Sequence, residues 1–106
     1  MIVLAFSLAL AFGGERSPPN SPENVAARRA LVSCVERAAS RLERSREAAN
    51  IVADAAITAC RAERETVRRV AAGDDWRYEA VLMPKVDEHL RQLAQARVVT
   101  IRANRP

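Results

Sequence analysis

Two cysteines, Cys34 and Cys60, are the residues of this 106-residue chain whose type and spacing could do chemistry. They lie 13 residues on either side of Glu47, and a helix boundary is predicted at Ser45 to Glu47. Thirteen helical residues rise about 20 Å, so two helices that fold back at this boundary bring both sulfurs to the same height. The sequence therefore predicts a Cys34–Cys60 disulfide.

Other chemistry at the cysteines is disfavoured. Two buried free thiols are the alternative to a disulfide, since a reduced cysteine packs as a small hydrophobic residue. A zinc site needs more ligands than the chain supplies, because it has no C-x-x-C motif and His89 is its only histidine. We therefore expect no metal and no cofactor.

No catalytic group is indicated elsewhere in the chain. His89 could serve acid–base catalysis, but no Ser or Cys nucleophile matches it by spacing, and a lone helical His is typical of a surface. Asp74 and Asp75 follow Gly73, where capping of the next helix explains two carboxylates. The sequence therefore indicates a protein that is not an enzyme.

Trp76, Arg77 and Tyr78 are the candidates for an interaction surface. Aromatic side chains beside Arg suit protein interfaces and also stacking on single-stranded nucleic acid or sugars. Trp76 and Tyr78 are two positions apart and so lie on different faces of a helix. We expect one ring in the core and the other exposed.

The charge of the chain is weakly positive. Lys and Arg total 17 against 13 Asp and Glu, which gives a formal net charge of +4. The Arg residues are spread over all predicted helices and alternate with Glu, whereas a nucleic-acid footprint is a concentrated stripe. Nucleic acid is therefore disfavoured, and acidic envelope lipids or polyanions are the better candidates for a cationic surface.

Residues 1–14 are predicted to be a secretory signal peptide. The uncharged apolar run Ile2 to Phe12 precedes Gly13 and Gly14, with small residues for cleavage after residue 11 or 13. No Lys or Arg precedes the run, which leaves a truncated start open, and a buried apolar helix is the alternative. Eleven helical residues span about 16 Å, too short for a bilayer core of about 30 Å. Export places the mature chain in the periplasm or outside the cell, where disulfides persist.

The elements that position these residues are helices. Residues 15–21 (ERSPPNS) are predicted to be a disordered linker. Ser21 caps a first helix that begins at Pro22. Ser45 is predicted to cap a second helix, with Glu47 in its first turn, and this helix stops at Gly73. The expected buried stripes of these two helices are Val25, Ala27, Leu31, Cys34, Val35, Ala38 and Leu42, then Ala48, Val52, Ala55 or Ala56, Ala59, Cys60, Val67 and Val70.

A third helix is predicted from Trp76 toward Arg102. Pro84 should kink or split it, and the β-branched run Val98 to Ile101 should fray into a tail. Asp87 and Arg91 form an i, i+4 pair. Its expected buried face comprises Val81, Val86, Leu90, Leu93, Ala94 and Val98 or Ile101.

The predicted fold class of residues 22–106 is therefore all-α. We expect a three-helix bundle made of a disulfide-linked hairpin and a Pro-kinked third helix. Ala30, Ala38, Ala56 and Ala59 are small enough to allow close packing near the crossing. No Gly or Pro marks the reversal, so a single helix over 22–72 remains the alternative.

The two cysteine-bearing helices carry V-S-C-V-E-R-A over Val32 to Ala38 and A-D-A-A-I-T-A-C-R-A-E over Ala53 to Glu63. This arrangement resembles small, uncharacterised secreted helical proteins of α-proteobacteria with one cysteine in each of two helices. The resemblance implies a periplasmic helical domain and no particular activity or site. The L-T-x-x-Q signature of periplasmic helical stress chaperones is absent from the sequence.

These observations favour a non-enzymatic periplasmic interaction or structural protein. Its apolar residues are mainly Ala and Val, and such a thin core is expected to be completed by a partner or by self-association. The alternative is a cationic module that binds acidic envelope lipids or polyanions.

Overall fold

A computed structural model describes residues 16–106 of the chain, and within that range all regular structure is helical. The predicted signal peptide, 1–14, lies outside the described residues. The elements are α1 (Pro22–Leu42), a 3₁₀ turn (Glu43–Ser45), α2 (Ala49–Ala59), α3 (Arg61–Ala72) and α4 (Trp76–Ala103). The all-α class is confirmed, with four helices instead of three. None of the helices in the described range is long and apolar enough to cross a bilayer.

The start of α1 follows the local signals in the sequence. The Ser21 hydroxyl accepts a hydrogen bond from the Asn24 amide at 3.2 Å, and Pro22 occupies the first helical position. Asn24 is only 4% exposed, and its side-chain amide donates to the carbonyls of Ser17 and Pro18 at 3.5 and 3.4 Å. The Ser17 amide donates to the Val70 carbonyl at 2.9 Å. Residues 16–20, within the predicted linker, therefore lie against α1 and α3.

The chain reverses direction between α1 and α2, which excludes a single helix over 22–72. The 3₁₀ turn is followed by Arg46 in the left-handed region, at φ 67°. A residue with a Cβ atom adopts this conformation at a cost of about 1–2 kcal/mol. Arg46 nevertheless adopts it, which is why no Gly marks the reversal in the sequence. Ser45 does not cap the next helix as predicted; its hydroxyl accepts from the Glu47 amide, and α2 begins at Ala49 without a side-chain cap.

The predicted second helix is divided at Cys60. Its backbone, at φ −104° and ψ 28°, interrupts the helical hydrogen bonds, and its amide donates to the Ile57 carbonyl at 3.0 Å. Two residues earlier, the Thr58 hydroxyl donates to the Asp54 carbonyl at 3.0 Å, a bond that often bends helices. The break thus falls at the residue that carries the second sulfur.

Helix α4 begins as predicted and ends later than predicted. Gly73 adopts a positive φ of 58°, and the Asp75 carboxylate accepts from the Tyr78 amide at 3.1 Å. The helix runs through Pro84 undivided because Pro84 lies on its exposed side, where solvent can bind the carbonyl that loses its donor. It also continues through the β-branched run to Ala103, since fully buried Val98 outweighs weak helix propensity.

The core lies where α1 packs against the other three helices. Its fully or nearly fully buried members are mostly small, and they are Leu31, Val35, Ala38, Ala39, Val52, Ala53, Ala56, Cys60, Val67, Leu90, Ala94 and Val98. Ala30 and Ala59, expected at the crossing, are exposed. Val81, expected in the core, is 58% exposed. Met83 is buried instead, and a residue two positions away points about 200° around the helix.

The Cys34–Cys60 disulfide should supply a large share of the stability of this fold. It links residues 26 positions apart, and closing such a loop stabilises by about 3–4 kcal/mol on the chain-entropy model. We expect the double variant Cys34→Ala/Cys60→Ala to lose about that free energy of unfolding in urea titrations followed by circular dichroism. The oxidised wild-type chain is the control. An unchanged transition midpoint would contradict the prediction.

Candidate functional site

The two sulfurs occupy different surroundings although they form one bond. The disulfide is present, with α-carbons 6.0 Å apart, within the limit of about 7 Å that a cystine requires. Cys60 is fully buried between α2 and α3, whereas Cys34 on α1 is half-buried. Cys34 is therefore the more accessible residue of the two.

Glu63 lies beside the disulfide, in the first turn of α3. One of its carboxylate oxygens and both sulfurs lie within 4.8 Å of one another. Its Oε2 is buried and has no hydrogen-bond partner within the described residues, which typically costs about 1–3 kcal/mol. Because the sulfurs are bonded to each other, they offer no thiolate to a metal. Three potential ligands thus meet at a site that the oxidised protein cannot use for metal binding.

Glu63 was not predicted from the sequence as a site residue. The signal was the spacing C-x-x-E over 60–63, since residues three apart share a helix face. That spacing alone is common in helices. It becomes informative only when the partner sulfur from α1 is placed beside it.

A groove lies on the surface between α1, α3 and α4, with a volume of about 360 Å³. We call it the α1–α4 groove. Its apolar floor is formed by Leu31, Val32, Val67, Leu82, Val86 and Leu90. Three of these are nearly fully buried, and Val32, Leu82 and Val86 are partly exposed to solvent. An apolar surface therefore remains open to a ligand.

The rim of the α1–α4 groove carries basic side chains. Arg28 from α1 and Lys85 and His89 from α4 line it, and all three are exposed. The Arg28 guanidinium donates to the Pro19 carbonyl at 3.0 Å. Within residues 16–106, none of the three forms an ion pair, and no acidic side chain lines this groove. The groove combines an apolar floor with an unneutralised positive rim, and the lone histidine lies there.

Trp76 and Arg77 contact each other, whereas Tyr78 contacts a different cation. Trp76 is 68% exposed, and the Arg77 guanidinium lies 5.2 Å from the centre of its ring. Tyr78 is half-buried, and the Arg16 guanidinium lies 4.2 Å from its ring. The two aromatic rings are covered by different cations on different sides of α4.

Ion pairs link α3 to α4. Arg64 binds Asp87 through two hydrogen bonds of 2.7 and 2.8 Å, which raises the pKa of the Arg64 guanidinium. Arg68 bonds to Glu65 on its own helix and to Glu79 on α4. These carboxylates raise the pKa of Arg68, and the Arg68 guanidinium lowers the pKa of Glu65.

The predicted Asp87–Arg91 pair is wrong. Arg91 instead pairs with Glu88 at 2.8 Å and with Asp54 on α2 at 3.3 Å. The two-point geometry of Arg64 on Asp87 is stronger than a single contact along one helix surface. The packing of α3 against α4 therefore determines which Arg pairs with Asp87.

Glu43 links the reversal to the end of α4. Its side chain is only 2% exposed and pairs with Arg105, while Arg102 donates to its backbone carbonyl at 2.8 and 3.3 Å. Such a buried carboxylate needs a cation. The C-terminal turn of α4 is thereby attached to the turn between α1 and α2.

No protein-family model matches this chain, and no curated protein or solved structure matches it.

The Arg64–Asp87 pair can be tested with double-mutant cycles. We expect Arg64→Ala and Asp87→Ala to couple by about 0.5–1 kcal/mol in urea unfolding, because the pair is bidentate and only partly exposed. The matched cycle of Asp87→Ala with Arg91→Ala should show a coupling near zero. A larger coupling energy between Asp87 and Arg91 than between Asp87 and Arg64 would show that Asp87 pairs within its own helix.

Proposed function

We propose that this chain is a non-enzymatic interaction protein of the periplasm or the cell exterior, and that it binds the acidic, amphipathic helix of a partner protein in the α1–α4 groove. The observation that carries the proposal is the groove itself, with its apolar floor and positive rim. The disulfide supports an oxidising compartment.

The shape of the site favours a helical ligand. An apolar strip on α1, which includes Val25 and Val32, adjoins the groove and shares Arg28 with it. From Val25 to Val32, and from Leu82 to His89, each helix advances about 10 Å, two turns. A partner helix can lay its apolar face along such a surface, with contacts spaced three and four residues apart.

The charge of the rim favours an acidic partner over a second copy of the chain. A symmetric dimer through this groove would bring Arg28 and Lys85 of both copies together. Like charges across an interface oppose association, whereas carboxylates beside the rim would pair with these side chains. We therefore propose that the partner predicted to complete the thin core is a different, acidic protein.

Site-specific photo-crosslinking in the native host tests this proposal. A photo-reactive residue replaces Val32 in the groove or, as the control, Val99, which is 57% exposed on α4. We expect one partner to crosslink from position 32 and none from position 99. The crosslinked segment should be acidic with an apolar helical face.

Charge reversal at the rim sharpens this test. Lys85→Glu should reduce the crosslinked product severalfold, because it opposes an acidic ligand. Arg41→Glu makes the same change of net charge at an exposed position of α1 that does not line the groove, and it should leave the yield unchanged. Equal losses in both variants, or the same products from positions 32 and 99, would reject the groove as the site.

A cationic module for acidic envelope lipids is the second candidate. Val81 is 58% exposed and lies one turn before Lys85 on the same side of α4. An exposed apolar side chain beside a cation is typical of a surface that contacts lipid headgroups.

Vesicle flotation separates this candidate from the first. The module predicts binding to vesicles containing phosphatidylglycerol and none to phosphatidylcholine alone. It also predicts that a few tenths molar salt abolishes binding, since exposed charges are screened. Binding that does not change with salt would reject the lipid candidate.

A further inference from the structure

We propose that the disulfide is a site of thiol–disulfide exchange, in which an external thiolate attacks Cys34 and Glu63 gives a proton to the departing Cys60 sulfur. This inference is independent of the partner helix and its groove. Three observations carry it: the unequal exposure of the two cysteines, the complete burial of Cys60, and the unpartnered Glu63 oxygen beside them.

The site of attack follows from access. Exchange proceeds by attack of a thiolate on one sulfur of a disulfide, and the sulfur that is reached accepts the new bond. Cys60 is 0% exposed, whereas Cys34 is half-buried on α1. An external thiol therefore reaches Cys34, and Cys60 is the leaving group.

The departing sulfur needs a proton because of where it lies. A thiolate at Cys60 would be a charge enclosed among core residues, and burying an unpaired charge is unfavourable. The Glu63 carboxyl group, within 4.8 Å of both sulfurs, is the proton source at hand. Transfer of its proton moves the negative charge from the fully buried Cys60 to Glu63, a residue that is partly exposed although its Oε2 is buried.

The disulfide is reduced in two exchange steps. The external sulfur bonds to Cys34 Sγ as the bond between the two protein sulfurs breaks, and that electron pair goes to Cys60 Sγ. The proton of the Glu63 carboxyl group goes to Cys60 Sγ, and Glu63 regains a proton from solvent. A second external thiol then attacks the external sulfur of the mixed disulfide and releases the Cys34 thiol. The protein disulfide is reduced by two electrons, and two external thiols are oxidised to one disulfide.

This role accounts for the place of Glu63. A carboxyl oxygen that is buried without a hydrogen-bond partner is unfavourable as structure alone. Beside a leaving sulfur the Glu63 carboxyl group has a function, because a general acid must lie near the atom that it protonates. The external thiolate thus attacks the Cys34 sulfur, and the proton goes to the Cys60 sulfur.

Peptide mapping of the oxidised full-length chain tests the site of attack. The chain is treated briefly with reduced glutathione, quenched in acid, alkylated with a maleimide and digested with trypsin. Cleavage after Arg separates the Cys34 peptide, 30–37, from the Cys60 peptide, 47–61. We expect glutathione on 30–37 and maleimide on 47–61. Glutathione on 47–61, or on both peptides equally, would overturn the proposal.

The rate of opening tests Glu63. Glu63→Gln should slow the first exchange step by roughly tenfold, below the usual range for a general acid because a thiolate leaves readily. Glu47→Gln, an exposed control in the turn, should react at the wild-type rate. Glu63→Asp keeps a carboxyl group and should retain a rate above that of Glu63→Gln.

The circular dichroism spectrum and thermal transition of each variant confirm that its fold is intact. A Glu63→Gln rate equal to or above the wild-type rate would overturn the proton transfer. The mapping in the wild-type chain needs no variant and decides the site of attack even if Glu63→Gln is unfolded.

Discussion

The close approach of α1 to the break between α2 and α3 is the constraint on which the rest of the structure depends. A cystine holds its α-carbons within about 7 Å, and the observed separation is 6.0 Å. Ala38, Ala53 and Ala56 are buried in the core that surrounds this contact, and the core contains few large side chains. Within residues 16–106 neither aromatic ring is fully buried, so the covalent bond compensates for missing apolar contact.

Polar contacts then set the position of α4 against the linked hairpin. Glu43 attaches the end of α4 to the reversal, and Arg64 attaches its middle to α3 through Asp87. Leu90, Ala94 and Val98 fill the interior between these contacts. On the outer side, α4 leaves an apolar groove against α1 that these contacts do not cover. The thin core thus leaves an apolar surface between α1 and α4 that is open to solvent.

Local signals allowed much of the fold to be predicted from the sequence. Ser21 before Pro22 and Gly73 before Asp75 work through contacts within a few residues, and the symmetric cysteines located the reversal. The remaining features depend on groups that are distant in the chain. Asp87 pairs with Arg64 and not with Arg91 because α3 lies beside it. Glu63 can be recognised as a site residue only after the fold has brought Cys34 near it. The spacing of apolar residues predicted that Val81 is buried, but Val81 is exposed. This spacing does not determine how the helix is rotated about its axis against its neighbours.

The state of the two cysteines in protein recovered from an oxidising compartment tests the account most directly. The chain is denatured without reductant, alkylated and weighed as an intact protein. The account predicts that no alkyl group is added and that tryptic peptides 30–37 and 47–61 are recovered as one linked species. Two alkyl groups on the folded, exported chain would contradict it, because the helices would then have no covalent reason to approach so closely.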